Sequence, residues 1–150
     1  MTEITLRPAT ESEAKILTAI HQECFPTYWS INSFNDFFSV DGTLALLAEN
    51  PHAVGMMVYR LHHEQADIIT IAVRPACRRR GIARALLAQA MQTMASRGVN
   101  AIFLDVEDGN VAALQLYETH GFTVINRRKH YYKQKDGSFT DALVMTRKLS

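Results

Sequence analysis

Three arginines and a glycine stand where an apolar run gives way to an amphipathic one. The segment Arg78 to Gly81 follows the apolar run 68–73 and precedes the amphipathic run 83–95, an order that predicts a strand, a turn and a helix. The first backbone N–H groups of a helix lack intrahelical partners, and the helix dipole adds partial positive charge there. Because glycine leaves the backbone accessible and arginine supplies counter-charge, the turn predicts a phosphate-binding site.

This turn differs from two familiar phosphate-binding motifs. A Walker loop requires Gly-x-x-x-x-Gly-Lys-Ser/Thr and a dinucleotide fingerprint requires three spaced glycines, and neither pattern occurs in the sequence. The pattern that does occur is R-x-x-G-x-A. A solvated basic turn that only caps the following helix is the alternative interpretation.

A tyrosine and an asparagine further along the chain could also take part in chemistry. Asn110 opens a predicted helix along which Ala113, Leu114 and Tyr117 recur, and His120-Gly121 ends it. A tyrosine hydroxyl titrates near about 10, so it is protonated at neutral pH and can act as a proton donor. Core packing is the alternative role for Tyr117, and plain helix capping is the alternative role for Asn110.

Three carboxylates lie on the strands next to these two motifs. Asp105 and Glu107 alternate with apolar residues, so they share one strand face with Phe103. Asp67 lies near the start of the strand that leads to the arginine turn. Each could accept a proton, directly or through a water molecule.

The composition indicates one globular domain over residues 1–150. Hydrophobic residues make up 47% of the chain and charged residues 21%, which suits a single core. With 16 Lys and Arg against 15 Asp and Glu, the net charge of +1 favours neither a nucleic acid nor a membrane as partner. Cys24 and Cys77 have no disulfide or metal spacing, which predicts a reduced cytosolic protein. The sequence contains no secretory leader and no run of membrane-spanning length, so a cytoplasmic location is expected.

Six histidines are present, and some of them are adjacent in sequence. His62-His63 and His130 have no cysteine or carboxylate at ligand spacing, so no metal is expected. We predict that the histidines are solvent-facing loop residues.

Strand and helix signals alternate along the chain and predict an α+β fold. Thr10 and Glu13 form a Thr-x-x-Glu capping box before the first helix, and the aromatic-rich loop Phe25 to Trp29 follows that helix. This loop could line a substrate groove or pack onto the core. The succession of strand, helix and strand after residue 66 predicts a parallel crossover inside a mostly antiparallel sheet of about seven strands, with helices on both faces. The predicted strands are 4–7, 43–49, 53–62, 66–73, 101–106, 123–132 and 142–148, and the predicted helices are 12–23, 31–38, 83–95 and one that opens at Asn110.

The two motifs together resemble those of the GCN5-related N-acetyltransferases. The second motif reads Asn110-x-x-Ala113-x-x-Leu116-Tyr117-Glu118-x-x-Gly121-Phe122. Further segments are similar to the bacterial ribosomal-protein-alanine N-acetyltransferases, which acetylate the N-terminal amine of a small-subunit ribosomal protein. They are Phe25-Pro26, Trp29-Ser30, Arg127-Arg128-x-x-Tyr131-Tyr132 and Asp141-Ala142-Leu143-Val144-Met145.

The resemblance implies acetyl-coenzyme A as co-substrate and assigns residues to it. The diphosphate would meet the basic turn, and the pantetheine arm would pair with the end of the preceding strand in the manner of an added strand. Asn110 would add a side-chain hydrogen bond, and Tyr117 would return a proton to the leaving thiolate. The cofactor-binding set is Ile71, Ala72, Val73, Arg78, Arg79, Arg80, Gly81, Ile82, Ala83, Arg84, Asn110 and Tyr117.

The resemblance also implies a general base. A glutamate serves in the ribosomal-protein enzymes at the position of Asp105, which is one methylene shorter, so we rank Asp105 first, Glu107 second and Asp67 third. The expected activity is direct transfer to a protein N-terminal α-amine in a ternary complex. A small-amine acetyltransferase and a non-catalytic acetyl-coenzyme A binding module are the alternatives.

Overall fold

The computed structural model describes residues 3–149, which fold around one mixed sheet. Within these residues seven strands are hydrogen-bonded in the order β1-β2-β3-β4-β5-β7-β6. All neighbouring pairs are antiparallel except β4 and β5. The strands are β1 Thr5–Pro8, β2 Thr43–Glu49, β3 Ala53–His62, β4 Gln65–Val73, β5 Ala101–Glu107, β6 Thr123–Lys133 and β7 Phe139–Lys148.

Four α-helices connect the strands in the described part of the chain. They are α1 Ala14–Cys24, α2 Ile31–Phe38, α3 Ile82–Ser96 and α4 Val111–Thr119. The predicted capping box of Thr10 and Glu13 is present, but it caps a 3-10 turn, Glu11–Glu13, that leads into α1. The predicted start of the first helix at residue 12 is therefore two residues before the start of α1.

The helices cover the two faces of the sheet unequally. On one face α1 and α2 pack against β2, β3 and β4, with Leu17, Phe34 and Met56 fully buried. On the other face α3 packs against β2, β3 and β4, and Tyr117 of α4 joins the same apolar cluster together with residues of β5 and β7. Since alternate residues of β5 belong to that second cluster, Phe103 and Asp105 point to the α1 side, where they remain partly exposed. This uncovered part of the sheet forms one wall of the site described below.

The parallel strands β4 and β5 pair only over their first residues. Their register runs from Gln65 opposite Ala101 to Ile68 opposite Leu104 and stops there. At the same point β4 carries an extra residue relative to β3, because Val58 lies opposite Thr70 and Tyr59 opposite Ile68. Such a bulge bends a strand and increases its twist. The strands therefore separate after Ile68, and a cleft opens between them.

The sequence predictions for the fold are confirmed at the level of elements and topology. The parallel crossover through α3 is present, and helices lie on both faces of a seven-stranded, mostly antiparallel sheet. The bounds differ most at β7, which begins at Phe139, three residues before the predicted start.

Candidate active site

The basic turn presents a run of free backbone amides at the start of α3. Gly81 is the N-cap residue, with φ of +76°, and Arg79 also has a positive φ of 67°. The first amide to bond within the helix is that of Ala85, which donates to the carbonyl of Gly81. Within residues 3–149, the N–H groups of residues 79–84 donate to no protein acceptor. The arginine side chains are exposed, and a Cβ added at Gly81 would meet no atom within 4 Å. The turn therefore offers convergent donors with open space in front of them.

The end of β4 has backbone groups that face the cleft. The N–H of Arg74 donates to the carbonyl of Val54, while Val73 lies opposite Gly55. In an antiparallel ladder this makes Val73 a non-hydrogen-bonded position, and Ile71 is the next one. The N–H and C=O groups of both residues therefore point away from β3, whereas those of Ala72 belong to the β3 ladder. Among the three residues that we predicted for the pantetheine arm, only Ile71 and Val73 can offer backbone groups to the cleft.

One of these groups already has partners. The carbonyl of Val73 accepts hydrogen bonds from Cys24 Sγ at 3.2 Å and from Arg78 Nε at 3.1 Å. The side chain of Arg78 therefore links the basic turn to the end of β4. Burial raises the pKa of the Cys24 thiol, and the adjacent Arg78 opposes that shift. Cys24 is thus a protonated donor and a poor nucleophile at neutral pH.

Tyr117 belongs to the apolar cluster that α3 covers, and Asn110 is the N-cap residue of α4. The ring of Tyr117 packs edge-on against Phe122 at 5.6 Å, and the residue is 7% exposed. Burial, together with the neighbouring Tyr132, raises the pKa of Tyr117. Its hydroxyl makes no hydrogen bond among residues 3–149, yet no fully buried side-chain polar atom there lacks a partner, so the hydroxyl keeps contact with solvent. Asn110 Oδ1 accepts from the N–H of Ala113 at 3.2 Å, which confirms the helix cap.

A groove of about 540 Å³ occupies the uncovered face of the sheet beside the cleft. Its floor comes from β4, β5 and β7, and its walls come from the loop after α1 and from β6. Aromatic and acidic side chains dominate the lining: Trp29, Asp67, Phe103, Asp105, Tyr131 and Tyr132. An apolar body with a few charged groups is typical of a site that orients a cationic or amine ligand.

Two of the three predicted carboxylates meet in this groove. Asp105 has a side chain that is 32% exposed, and its Oδ1 lies 3.5 Å from Arg128 Nε. Burial raises the pKa of Asp67, and the charge of Asp105 adds to that effect. The positive charges of Arg60 and His62 act in the opposite direction. A carboxylate with a raised pKa is a stronger base, so Asp67 can accept a proton in this groove, and Asp105 lies in the same lining.

Comparison with known proteins identifies the family to which the chain belongs. The model of the acetyltransferase (GNAT) family matches residues 11–122. The chain belongs to this family. It is an acyltransferase, an N-acetyltransferase of the GNAT type. The resemblance drawn from the two sequence motifs is thereby confirmed.

The relatives of this acetyltransferase include enzymes that modify protein N-termini. It is 34% identical over 104 residues to the ribosomal protein bS18-alanine N-acetyltransferase of Escherichia coli K12, which covers 69% of this chain and 70% of the relative. It is 31% identical over 152 residues to N-alpha-acetyltransferase 50 of Danio rerio, which covers 97% and 89%.

Solved structures agree with the fold of the GNAT enzyme. The crystal structure of the E. coli ribosomal-protein-S18-alanine N-acetyltransferase superimposes with a TM-score of 0.91 at 28% identity, over 99% of this chain and 95% of that one. Arabidopsis thaliana NAA60 in complex with acetyl-CoA superimposes with a TM-score of 0.85 at 19% identity, over 98% and 99%. The second likeness shows the shared fold alone.

Glu107, the third predicted carboxylate of the acetyltransferase, lies outside the groove lining and is already hydrogen-bonded. Its Oε1 accepts from Gln134 Nε2 at 2.7 Å and from Thr140 Oγ1 at 2.6 Å. These bonds join the end of β5 to the β6–β7 hairpin. Glu107 therefore supports a wall of the groove, and its availability as a base is lower than that of Asp105 or Asp67.

Sequence reasoning missed the residue that supports the other wall. His21 is 2% exposed, and its Nδ1 accepts a hydrogen bond from the backbone N–H of Trp29 at 3.0 Å. The two rings stack with centroids 4.5 Å apart. Burial lowers the pKa of His21 to about 4, so the ring is neutral at physiological pH. The helical spacing of His21 after Leu17 was the signal that could have found it.

The prediction that all histidines are solvent-facing loop residues was therefore wrong for His21, which α1 carries into the core. The neighbours His62 and His63 are exposed, as predicted. They line a second depression of about 640 Å³ at the β3–β4 turn, at the opposite end of β4 from the basic turn, and Gln65 borders both this depression and the groove. Among the described residues no group of three His, Cys, Asp or Glu side chains is placed to hold a metal ion. In residues 3–149 no helix is both long and apolar enough to cross a membrane.

Proposed function

We propose that this acetyltransferase transfers the acetyl group of acetyl-coenzyme A directly to the N-terminal α-amine of a protein, within a ternary complex. A single observation carries the proposal. The cleft between β4 and β5 joins two different surfaces, a basic turn with free amides and a groove with acidic and aromatic walls. A phosphate-bearing donor suits the first surface and an ammonium-bearing acceptor suits the second.

The donor side uses groups that suit each part of acetyl-coenzyme A. The amides of residues 79–84 and the neighbouring arginines would hold the diphosphate. Ile71 and the N–H of Val73 would pair with the amides of the pantetheine arm, as an added strand would. The unused amide nitrogen of Asn110 would donate a further hydrogen bond while its oxygen continues to cap α4.

The reaction needs a base for the amine and a donor for the sulfur. Asp105, assisted by Asp67 or a water molecule, would take a proton from the ammonium, so that the neutral nitrogen attacks the thioester carbonyl. The new C–N bond forms as the C–S bond breaks, and the thiolate leaves. Because the raised pKa of Tyr117 makes full proton transfer to a thiolate of pKa near about 8.5 unfavourable, Tyr117 would stabilise the sulfur by donating a hydrogen bond. The nitrogen would lose its second proton to solvent as the amide forms, and the thiolate would take a proton from solvent, so that one proton is released overall.

The lining of the groove supports a peptide as acceptor. The lining runs from Trp29 on one wall to Tyr131 on the other, with Phe103 and Val144 on the floor. Relatives named for the alanine terminus of bS18 and for N-alpha acetylation favour the same acceptor class. An α-amine titrates near about 8 and a lysine near about 10.4, so the α-amine supplies roughly two orders of magnitude more neutral nucleophile at pH 7.4. A single aspartate as base is then sufficient.

Three acceptors distinguish this proposal from its alternatives. They are a peptide that begins with Ala and bears a ribosomal N-terminal sequence, the same peptide with a blocked N-terminus and an internal lysine, and spermidine. We expect the first to have the highest kcat/KM with acetyl-coenzyme A. A preference for spermidine would instead assign a small-amine acetyltransferase. Binding of acetyl-coenzyme A without turnover of any acceptor, including those in a ribosomal extract analysed by mass spectrometry, would assign a binding module.

A further inference from the structure

Strand β6 is irregular at the wall of the groove. Arg128 lies opposite Ala142 of β7, and Tyr132 lies opposite Thr140. Four steps along β6 therefore match two steps along β7, so that β6 carries two extra residues. His130, in the middle of this bulge, has a positive φ of 53°. A residue with a Cβ rarely adopts such a positive φ unless neighbouring groups stabilise it.

The support comes from Asp141, the residue of β7 that lies between the two flanking pairs. Its Oδ1 accepts a hydrogen bond from the backbone N–H of His130 at 3.0 Å. Its Oδ2 accepts from Arg127 Nη1 at 2.9 Å, and the same nitrogen donates to Asp108 Oδ2 at 2.6 Å. These bonds lower the pKa of Asp141 and keep it ionised. The carboxylate thus replaces the ladder bond that the bulge removes from β6.

The bulge changes which side chains reach the groove. In a regular strand, consecutive residues point to opposite faces. Here Tyr131 and Tyr132 both line the groove, with ring centroids 5.0 Å apart. Arg128 lies over the ring of Tyr131, at 5.4 Å from its centroid. Asp141 itself lies outside the lining and on the opposite face of β7 from Val144.

We propose that Asp141 is a positioning residue for the acceptor, because its hydrogen bond to His130 holds the bulge that places two consecutive tyrosines in the groove. The proposal rests on the proposed function, in which this groove receives the acceptor. Asp141 lies on the opposite face of β7 from the groove, so it does not contact the acceptor. The basic turn and the end of β4 lie outside its network, so the donor side is independent of it.

Two substitutions at this position separate the hydrogen bond from the charge. Asp141→Ala removes the acceptor of the His130 N–H. Asp141→Asn keeps an oxygen for that N–H and removes the ion pair with Arg127. A matched control is Asp136→Ala, because Asp136 accepts from the N–H and Oγ of Ser138 in the turn of the same hairpin and has no contact with the bulge.

We expect Asp141→Ala to raise KM for the acceptor by about tenfold or more, with kcat and KM for acetyl-coenzyme A changed less than about twofold. Asp141→Asn should restore most of the acceptor KM, and Asp136→Ala should match the wild type. An unchanged acceptor KM in Asp141→Ala would overturn the proposal. So would an equal rise in both KM values, or an Asn variant as impaired as the Ala variant.

Amide exchange measured by mass spectrometry tests the geometry without any acceptor. In the wild type the peptide that contains His130 should exchange slowly at that amide, and Asp141→Ala should accelerate it while leaving β4 and α3 unchanged. Equal exchange in the two proteins would reject the positioning role. If the wild type acetylates no protein N-terminus, the proposed function fails, and this exchange difference still decides whether Asp141 holds the bulge.

Discussion

The donor side and the acceptor side of the cleft are built in different ways. On the donor side, backbone amides of residues 79–84 and the end of β4 supply most of the polar groups, and a glycine keeps them accessible. On the acceptor side, side chains from β4, β5 and β6 supply them, and each wall depends on hydrogen bonds between different segments of the chain. One wall is held by the bond between His21 and Trp29, and the other by the bonds to Glu107 and Asp141.

This difference indicates which amino-acid substitutions the donor side and the acceptor side can each tolerate. Backbone groups are present whatever the side chains are, so the donor side depends on conformation and on small residues at close approach. A side-chain network depends on identity at several positions at once, so it can be altered residue by residue to admit another acceptor. Perturbations on the two sides should therefore affect different kinetic constants.

The largest effect should come from the base in the groove. Asp105→Asn is expected to lower kcat/KM for the acceptor by about a hundredfold or more, since general base catalysis contributes about 10²–10⁴-fold, and to remove the acid limb of the pH profile. Asp67→Asn should have a smaller effect. Glu107→Gln is the matched control, because a glutamine oxygen can still accept from Thr140. Steady-state kinetics from pH 5.5 to 9 measure these differences, and full activity in all three variants would mean that the amine arrives already neutral.

Tyr117→Phe should have the next largest effect and should act on chemistry alone. The substitution keeps the ring that packs on Phe122 and removes the hydroxyl, so kcat should fall by about tenfold or more while the affinity for acetyl-coenzyme A stays the same. Single-turnover rates and calorimetric titration with coenzyme A measure the two quantities. A normal single-turnover rate would show that Tyr117 has only a structural role.

Gly81→Val tests the backbone nature of the donor side. The branched side chain would project into the space before the free amides, so Kd for acetyl-coenzyme A should rise by about tenfold, with the acceptor KM unchanged. Gly98→Val is the matched control, since Gly98 also has a positive φ and open space around it but lies at the far end of α3. Both variants carry a conformational cost of about 1–2 kcal/mol. Equal affinities in the two variants, measured by calorimetry, would contradict the phosphate assignment.

The smallest effect at neutral pH concerns the buried histidine behind the acceptor wall. The pKa of His21 is about 4 in the folded protein and about 6.5 in the unfolded chain. Between these two pH values the unfolded chain therefore binds a proton that the folded protein does not. The free energy of unfolding should fall as the pH drops from 6.5 to 4, by up to about 3 kcal/mol from this residue. His21→Phe should remove that part of the pH dependence. Urea titrations at pH 7, 5.5 and 4 make the comparison, and parallel curves would show that His21 is not the cause.

The sequence predicted the elements of the donor side because its signals are local. An apolar strand, an Arg-rich turn with Gly81, and an amphipathic helix occur in direct succession, and Asn110 and Tyr117 share one helix. The parallel pair was also predictable, since a crossover between consecutive strands fixes it, whereas the position of β7 between β5 and β6 was not predicted. The roles assigned to the individual site residues remain predictions.

The acceptor side was less predictable because its determinants are hydrogen bonds between different segments, which no residue pattern indicates. His21 binds the loop that follows its own helix, and Asp141 supports a bulge on another strand. The bulge at His130 could not be read from residue pattern, because the alternation of a regular strand would have sent Tyr131 and Tyr132 to opposite faces. The extra residue in β4 likewise determines which backbone groups face the cleft. As a result, the backbone groups of Ala72 bond to β3 and are not available to the pantetheine arm.

Trp29 is the one tryptophan in the sequence, and it lies in the acceptor groove. Its indole therefore gives the protein a single tryptophan fluorophore at the place where an acceptor would be buried. Stacking on His21 adds a second property, because a neutral imidazole and a protonated one differ in how strongly they quench an indole. The emission of the unlabelled protein should consequently report both occupancy of the groove at neutral pH and protonation of the wall in acid.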